Sequence, residues 1–139
     1  MDKNIGVVWI REDFRILRND ALSYATKNHE FVCVLYIYKK KAFNNRSAQR
    51  WWLFQSLKIF ENKLDQFNIS LEVIESESYK EIFEKILKKE NFSIYWNKVY
   101  EPKFLSFDKK ISSSLKFKNI NFKIFKGNLL NESDEIKKN

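Results

Sequence analysis

The chain of 139 residues is 44% hydrophobic and 17% aromatic, which predicts one folded domain and excludes a disordered protein. It has no apolar run of about 18 residues and no signal-peptide pattern, so we predict a cytoplasmic protein that does not span a membrane. The net charge of +8 predicts weak attraction to DNA, although a general enrichment in lysine would give the same charge.

The first half of the sequence predicts two strands, each followed by a helix. Residues 5–10 (IGVVWI) and 31–38 (FVCVLYIY) are almost continuously apolar, as strands buried on both faces are. Residues 19–28 and 47–67 begin with capping side chains and carry apolar residues every three or four positions, which is typical of helices. Of the adjacent Trp51 and Trp52 in the second helix, at most one can face the core fully.

The second half repeats the pattern with three further strands and two helices. The predicted strands are residues 70–74, 92–96 and 120–125. Ser78 and Glu81 have the spacing of a capping box, which predicts the start of a third helix. Pro102 suits the first turn of a fourth helix.

This strict alternation of strands and helices predicts an α/β fold, a Rossmann-like three-layer sandwich with a five-stranded parallel sheet. We assign residues 1–130 to this domain and residues 131–139 to a C-terminal tail. Sheets of this kind bind ligands beyond the carboxyl ends of their strands, where the strand order reverses.

The residue inventory excludes several classes of enzyme. His29 is the only histidine and is predicted on the surface, while the single cysteine, Cys33, lies in a predicted buried strand. A single cysteine excludes an internal disulfide, and with one cysteine and one histidine predicted on the surface, neither a zinc site nor a Ser-His-Asp arrangement is credible. Gly6 and Gly127 are the only glycines, too few for a phosphate-binding loop. The sequence therefore favours a binding domain.

The arginines indicate where the ligand would bind. All five lie between residues 11 and 50, in a chain that otherwise uses lysine for its positive charge. Residues that follow the first and fourth strands should emerge at the same edge of the sheet. The alternative roles are pairing of Asp13 with Arg11 or Arg15 in the loop, a helix-surface position for Arg50, and core packing of Trp9 and Trp96. The predicted cofactor-binding residues are Arg11, Arg50, Asn97, Glu101, Trp9 and Phe43.

Four segments, in order along the chain, resemble the DNA photolyases and cryptochromes. WIREDFRILRNDAL is similar to the opening W-F-R-R-D-L-R pattern of that family, and RSAQRWWLFQSLKIFENKL resembles its S-P-x-R segment. IYWNKVYEPKFLSFD resembles Y-x-N-x-D-x-E-P-x-x-x-x-R-D, and FKIFKGNLLNESDEI resembles the strand that closes the first domain. The resemblance covers nearly the whole chain.

The resemblance implies an N-terminal α/β domain that holds a light-harvesting antenna chromophore in many members. In the family, a separate helical domain binds FAD and repairs DNA as a carbon–carbon lyase. This chain ends where the linker to that domain would begin, so we expect it to be non-catalytic alone and not to bind FAD. The helical domain is the expected partner, either in the same longer protein or in trans.

The resemblance does not decide between a deazaflavin, folate, FMN and no antenna at all. Val99 stands where deazaflavin-binding members carry an acid, although Arg50 and Glu101 match their pattern. Lys103 and Phe104 stand where folate-binding members carry an Asn-Glu pair. A cryptochrome-like photoreceptor fragment and a stand-alone nucleotide-binding module are the alternative functions.

Overall fold

The computed structural model describes residues 5–87, 92–117 and 120–126. The predicted alternation of strands and helices is confirmed. The predicted tail, residues 131–139, and Gly127 lie outside the described residues. In chain order the elements are β1 (Ile5–Ile10), α1 (Asp20–Asn28), β2 (Phe31–Tyr38), a 3-10 helix (Lys40–Phe43), α2 (Ser47–Asp65), β3 (Ser70–Glu75), α3 (Tyr79–Leu87), β4 (Phe92–Asn97), α4 (Pro102–Phe117) and β5 (Phe122–Phe125).

The five described strands form one parallel sheet in the order β3-β2-β1-β4-β5, as predicted. In the register of the sheet, Trp9 of β1 lies between Leu35 of β2 and Trp96 of β4. From β1 the chain adds β2 and β3 on one side and then β4 and β5 on the other. The strand order therefore reverses between β1 and β4, and a crevice is expected at their carboxyl ends.

Helices cover both faces of the sheet and create two hydrophobic cores. Successive side chains of a strand point to opposite faces, so Val8 and Ile10 pack under α1 and α2, while Val7 and Trp9 pack under α3 and α4. Cys33, near the start of β2, is only half-buried. This arrangement is the predicted three-layer sandwich.

The long helix α2 buries one narrow face and exposes its two tryptophans. Its buried residues recur at helical spacing, whereas Trp51 and Trp52 are 62% and 67% exposed, so neither faces the core. No helix in the described ranges is long and apolar enough to cross a bilayer. The buried residues of α2 are Leu53, Leu57, Phe60 and Leu64.

The prediction of a surface position for His29 is wrong. The side chain is half-buried, and its Nε2 atom lies 2.6 Å from the hydroxyl oxygen of Tyr95 in β4. The imidazole packs directly over Gly6 of β1, where a side chain would occupy the same space. The end of α1 is thereby attached to two strands of the sheet.

Replacing Gly6 with alanine is expected to lower the free energy of unfolding by about 1–3 kcal/mol, because overpacking forces neighbouring groups to move. The new Cβ atom would lie 2.7 Å from Cδ2 and 2.9 Å from Cγ of His29. Urea unfolding of the wild type, Gly6→Ala, His29→Ala and the double variant measures the effect. If Gly6→Ala costs as much in the His29→Ala background as in the wild type, the imidazole contact is not its cause.

Candidate ligand-binding site at the carboxyl edge of the sheet

A cleft of about 580 Å³ opens where β1 and β2 end, beside the first turns of α2 and α4. It lies at the sheet edge where parallel α/β folds bind their ligands. Its wall combines aromatic side chains with charged and polar ones, among them Arg11, Glu12 and Lys39. The aromatic side chains that line it are Phe14, Tyr36, Phe43, Trp52, Tyr79, Phe104 and Phe107.

Arg11 directly follows β1, and its buried guanidinium joins that strand to β4 and α4. Nη1 donates a hydrogen bond of 2.8 Å to Oδ1 of Asp108, and Nη2 donates one of 2.9 Å to the carbonyl oxygen of Asn97. Its Cζ atom lies 4.6 Å from the ring centroid of Trp9 and 5.1 Å from that of Phe104. These contacts neutralise the charge and fix the back of the cleft.

A second group of buried polar side chains fixes the loop after β1 and the start of α1. Asn97 donates from Nδ2 to Oδ2 of Asp13 at 2.8 Å and to Oδ1 of Asn19 at 2.7 Å, and its Oδ1 accepts from the backbone N–H of Ala21. Asn19 caps α1 through the N–H of Leu22. The carboxylate of Asp13 also accepts from the backbone N–H of Arg11, so it pins the loop through its backbone.

The six predicted site residues occupy three kinds of position. Arg11 and Phe43 line the cleft. Trp9, with 1% of its surface exposed, and the buried Asn97 lie behind it within the fold. Arg50 and Glu101 are exposed and are not among the lining residues, although Gln49, next to Arg50, and Lys103, two residues after Glu101, do line the cleft.

Sequence reasoning did not identify two residues of the site: Asp108, which pairs with Arg11, and Lys39, which lines the cleft. Asp108 is an acid one turn after Phe104 and one turn before Ile111, both of which are buried. An acid on the apolar face of a helix was the available signal, because a buried carboxylate needs a partner. Lys39 has no comparable signal, since it stands in a run of three lysines.

Lys39 lines the cleft, and its ammonium is held against two aromatic rings. Nζ lies 3.8 Å from the ring centroid of Tyr79 and 4.5 Å from that of Phe107. Burial lowers the pKa of Lys39, the charge of Glu77 opposes this and that of Lys103 adds to it. Burial likewise raises the pKa of the Tyr79 hydroxyl. The cleft is therefore partly shielded from water on this side.

Comparison with known proteins identifies the family. The family model described as DNA photolyase matches residues 6–139. This chain belongs to the DNA photolyase family. A deoxyribodipyrimidine photo-lyase of Agrobacterium fabrum is 28% identical over 94% of the chain, and cryptochrome-2 of Arabidopsis thaliana is 30% identical over 98%. The chain spans 27% and 22% of the lengths of these two relatives.

Solved structures of photolyases share the fold of this photolyase-family domain. A bacterial class III photolyase from Agrobacterium tumefaciens superposes with a TM-score of 0.83 at 27% identity, covering 94% of this chain and 27% of that one. An archaeal photolyase from Sulfolobus tokodaii superposes at 0.77 and 24% identity, covering 91% of this chain and 30% of that one. It was described with two FAD molecules and with the implication of a novel light-harvesting cofactor.

Proposed function

We propose that this domain binds an antenna chromophore in the cleft at the carboxyl edge of its sheet and so supports the light-driven DNA repair of a photolyase. The observation that carries the proposal is the cleft itself, with its aromatic side chains and its position at the carboxyl ends of β1 and β2, beside the point where the strand order reverses. Family membership makes a light-harvesting role the function to test first.

The residues of the cleft fit a planar heteroaromatic ring. A volume of about 580 Å³ is within the range of small-molecule sites, roughly 300–1,000 Å³. Phe43 and Trp52 offer ring faces against which a chromophore can stack. When bound, such a chromophore would absorb light and pass the excitation energy to a flavin. The aromatic side chains would exclude water and fix the orientation of the ring.

The chromophore is to be sought among deazaflavins, folates and flavins. FMN and FAD both belong in the panel, because a second FAD is described for the Sulfolobus tokodaii photolyase. The catalytic FAD is expected in a helical partner domain, either in the same polypeptide or supplied in trans. Residues 1–130 would then form the antenna domain, and residues 131–139 the start of its connection to the partner.

Replacing Trp52 with alanine is expected to weaken chromophore binding about tenfold, because base–aromatic stacking contributes roughly 1–3 kcal/mol. Trp52 lines the cleft and is 67% exposed, so the substitution should leave the core intact. Fluorescence titration of the panel against the purified domain measures the dissociation constants. Trp51→Ala is the matched control, since Trp51 is 62% exposed on the same helix and does not line the cleft.

The same titration tests the remaining contacts predicted from the sequence. Equal weakening by Trp51→Ala and Trp52→Ala would contradict the cleft as the binding site. Weaker binding by Glu101→Ala or Arg50→Ala would extend the site to these exposed neighbours of the lining residues. Absence of binding by every chromophore in the panel would overturn the proposed function.

A further inference from the structure

Two lysines bring positive charge to the cleft without a paired acid. Lys39 and Lys103 both line it, and within the described part of the chain neither ammonium forms an ion pair or a hydrogen bond. Glu12 also lines the cleft but pairs with neither lysine, and Glu77, whose charge acts on Lys39, forms no ion pair with it. Asp108 neutralises Arg11. The cleft therefore has more positive than negative charge available to a ligand.

Lys39 is half-buried, and its ammonium lies against two rings that line the cleft. Contacts with the rings of Tyr79 and Phe107 hold the ammonium at the wall of the cleft. These contacts use the positive charge, and within the described residues the ammonium donates no hydrogen bond to an oxygen acceptor. The side chain is half-buried, which removes part of the hydration of the ammonium and lowers the pKa of Lys39. An anion in the cleft would replace the lost water contacts.

We propose that the cleft selects a planar chromophore that carries an anionic group, a phosphate or a carboxylate, and that Lys39 determines this preference. The inference rests on the proposed chromophore-binding function and names the chemical class of its ligand. A charge-assisted hydrogen bond in a partly dehydrated site is stronger than one between neutral groups. Lys103, on the first turn of α4, would add attraction without a fixed position, because it is exposed.

FMN and riboflavin test the inference, because they share the ring system and differ in the phosphate. We expect the wild type to bind FMN about tenfold more tightly than riboflavin, which corresponds to about 1.4 kcal/mol. Lys39→Met should abolish this preference by weakening FMN binding while leaving riboflavin binding unchanged. Lys39→Arg should retain it, since it keeps the charge. The FMN preference should also fall as salt is added.

Lys40→Met is the matched control, because Lys40 is the next residue, is exposed and does not line the cleft. Folate, whose glutamyl tail carries carboxylates, forms a second arm and should also bind Lys39→Met more weakly. Equal binding of FMN and riboflavin, tighter binding of a neutral deazaflavin, or an unchanged preference in Lys39→Met would overturn the inference and leave the proposed function standing. Absence of binding by all ligands would overturn both.

Discussion

Replacing Asp108 with asparagine is expected to lower the free energy of unfolding by about 3–5 kcal/mol, because it leaves a buried guanidinium without its counter-ion. Arg11 and Asp108 are 4% and 6% exposed at their side chains, and their hydrogen bond measures 2.8 Å. Asparagine has nearly the same shape but carries no charge, so the change isolates the electrostatic contribution. Urea unfolding followed by circular dichroism measures the loss.

The double variant Arg11→Met/Asp108→Leu separates a broken ion pair from a damaged core. Removing both charges leaves neither member of the pair buried without its counter-ion, so the double variant should be more stable than Asp108→Asn. A loss of less than about 1 kcal/mol in Asp108→Asn would show that water or another group compensates Arg11. A double variant less stable than the single one would indicate that shape, and not charge, is the main contribution of the pair.

The layered fold could be predicted from the sequence because its signals are local. The strands of a parallel sheet are buried on both faces, and segments such as FVCVLYIY show this directly. Asn19 before α1 and Pro102 at the start of α4 mark helix beginnings with side chains suited to those positions. From this alternation, the parallel direction of the strands follows by the rule for crossover connections.

The partners of the polar residues could not be predicted, because they are distant in sequence. Arg11 and Asp108 are 97 residues apart, and nothing near Arg11 indicates that α4 will supply its carboxylate. Sequence reasoning offered Asp13 as the partner, and Asp13 instead accepts from the backbone N–H of Arg11. A charged residue directly after a strand is predicted to lie at the edge of the sheet. Its position in the sequence does not show whether its side chain supports the fold or contacts a ligand.

The positions of Trp51 and Trp52 in α2 likewise could not be predicted from the sequence. Trp51 and Trp52 are adjacent and similarly exposed, yet only Trp52 lines the cleft. The rotation of α2 is set by its buried Leu53, Leu57 and Phe60. The sequence shows that these residues share a face, but the relation of that face to the cleft depends on how the helix docks on the sheet.

Asn97 is a predicted site residue whose side chain either supports the fold or contacts the ligand, and these two roles predict different effects of its removal. Its side chain accepts one hydrogen bond and donates two, to the start of α1 and to the loop after β1. Each buried polar group left without a partner costs about 1–3 kcal/mol. Asn97→Ala removes the shared partner of three such groups, so we expect the free energy of unfolding to fall by at least about 2 kcal/mol.

Under conditions in which Asn97→Ala remains folded, its dissociation constant for FMN should equal that of the wild type, because Asn97 does not line the cleft. Asn28→Ala is the matched control, since the Asn28 side chain donates a single exposed hydrogen bond, to the carbonyl oxygen of Tyr24. It should change neither stability nor affinity appreciably. A folded Asn97→Ala that binds FMN tenfold more weakly would instead make Asn97 a ligand contact, as the sequence predicted. Loss of stability with unchanged affinity would assign Asn97 to the framework that holds the cleft in shape.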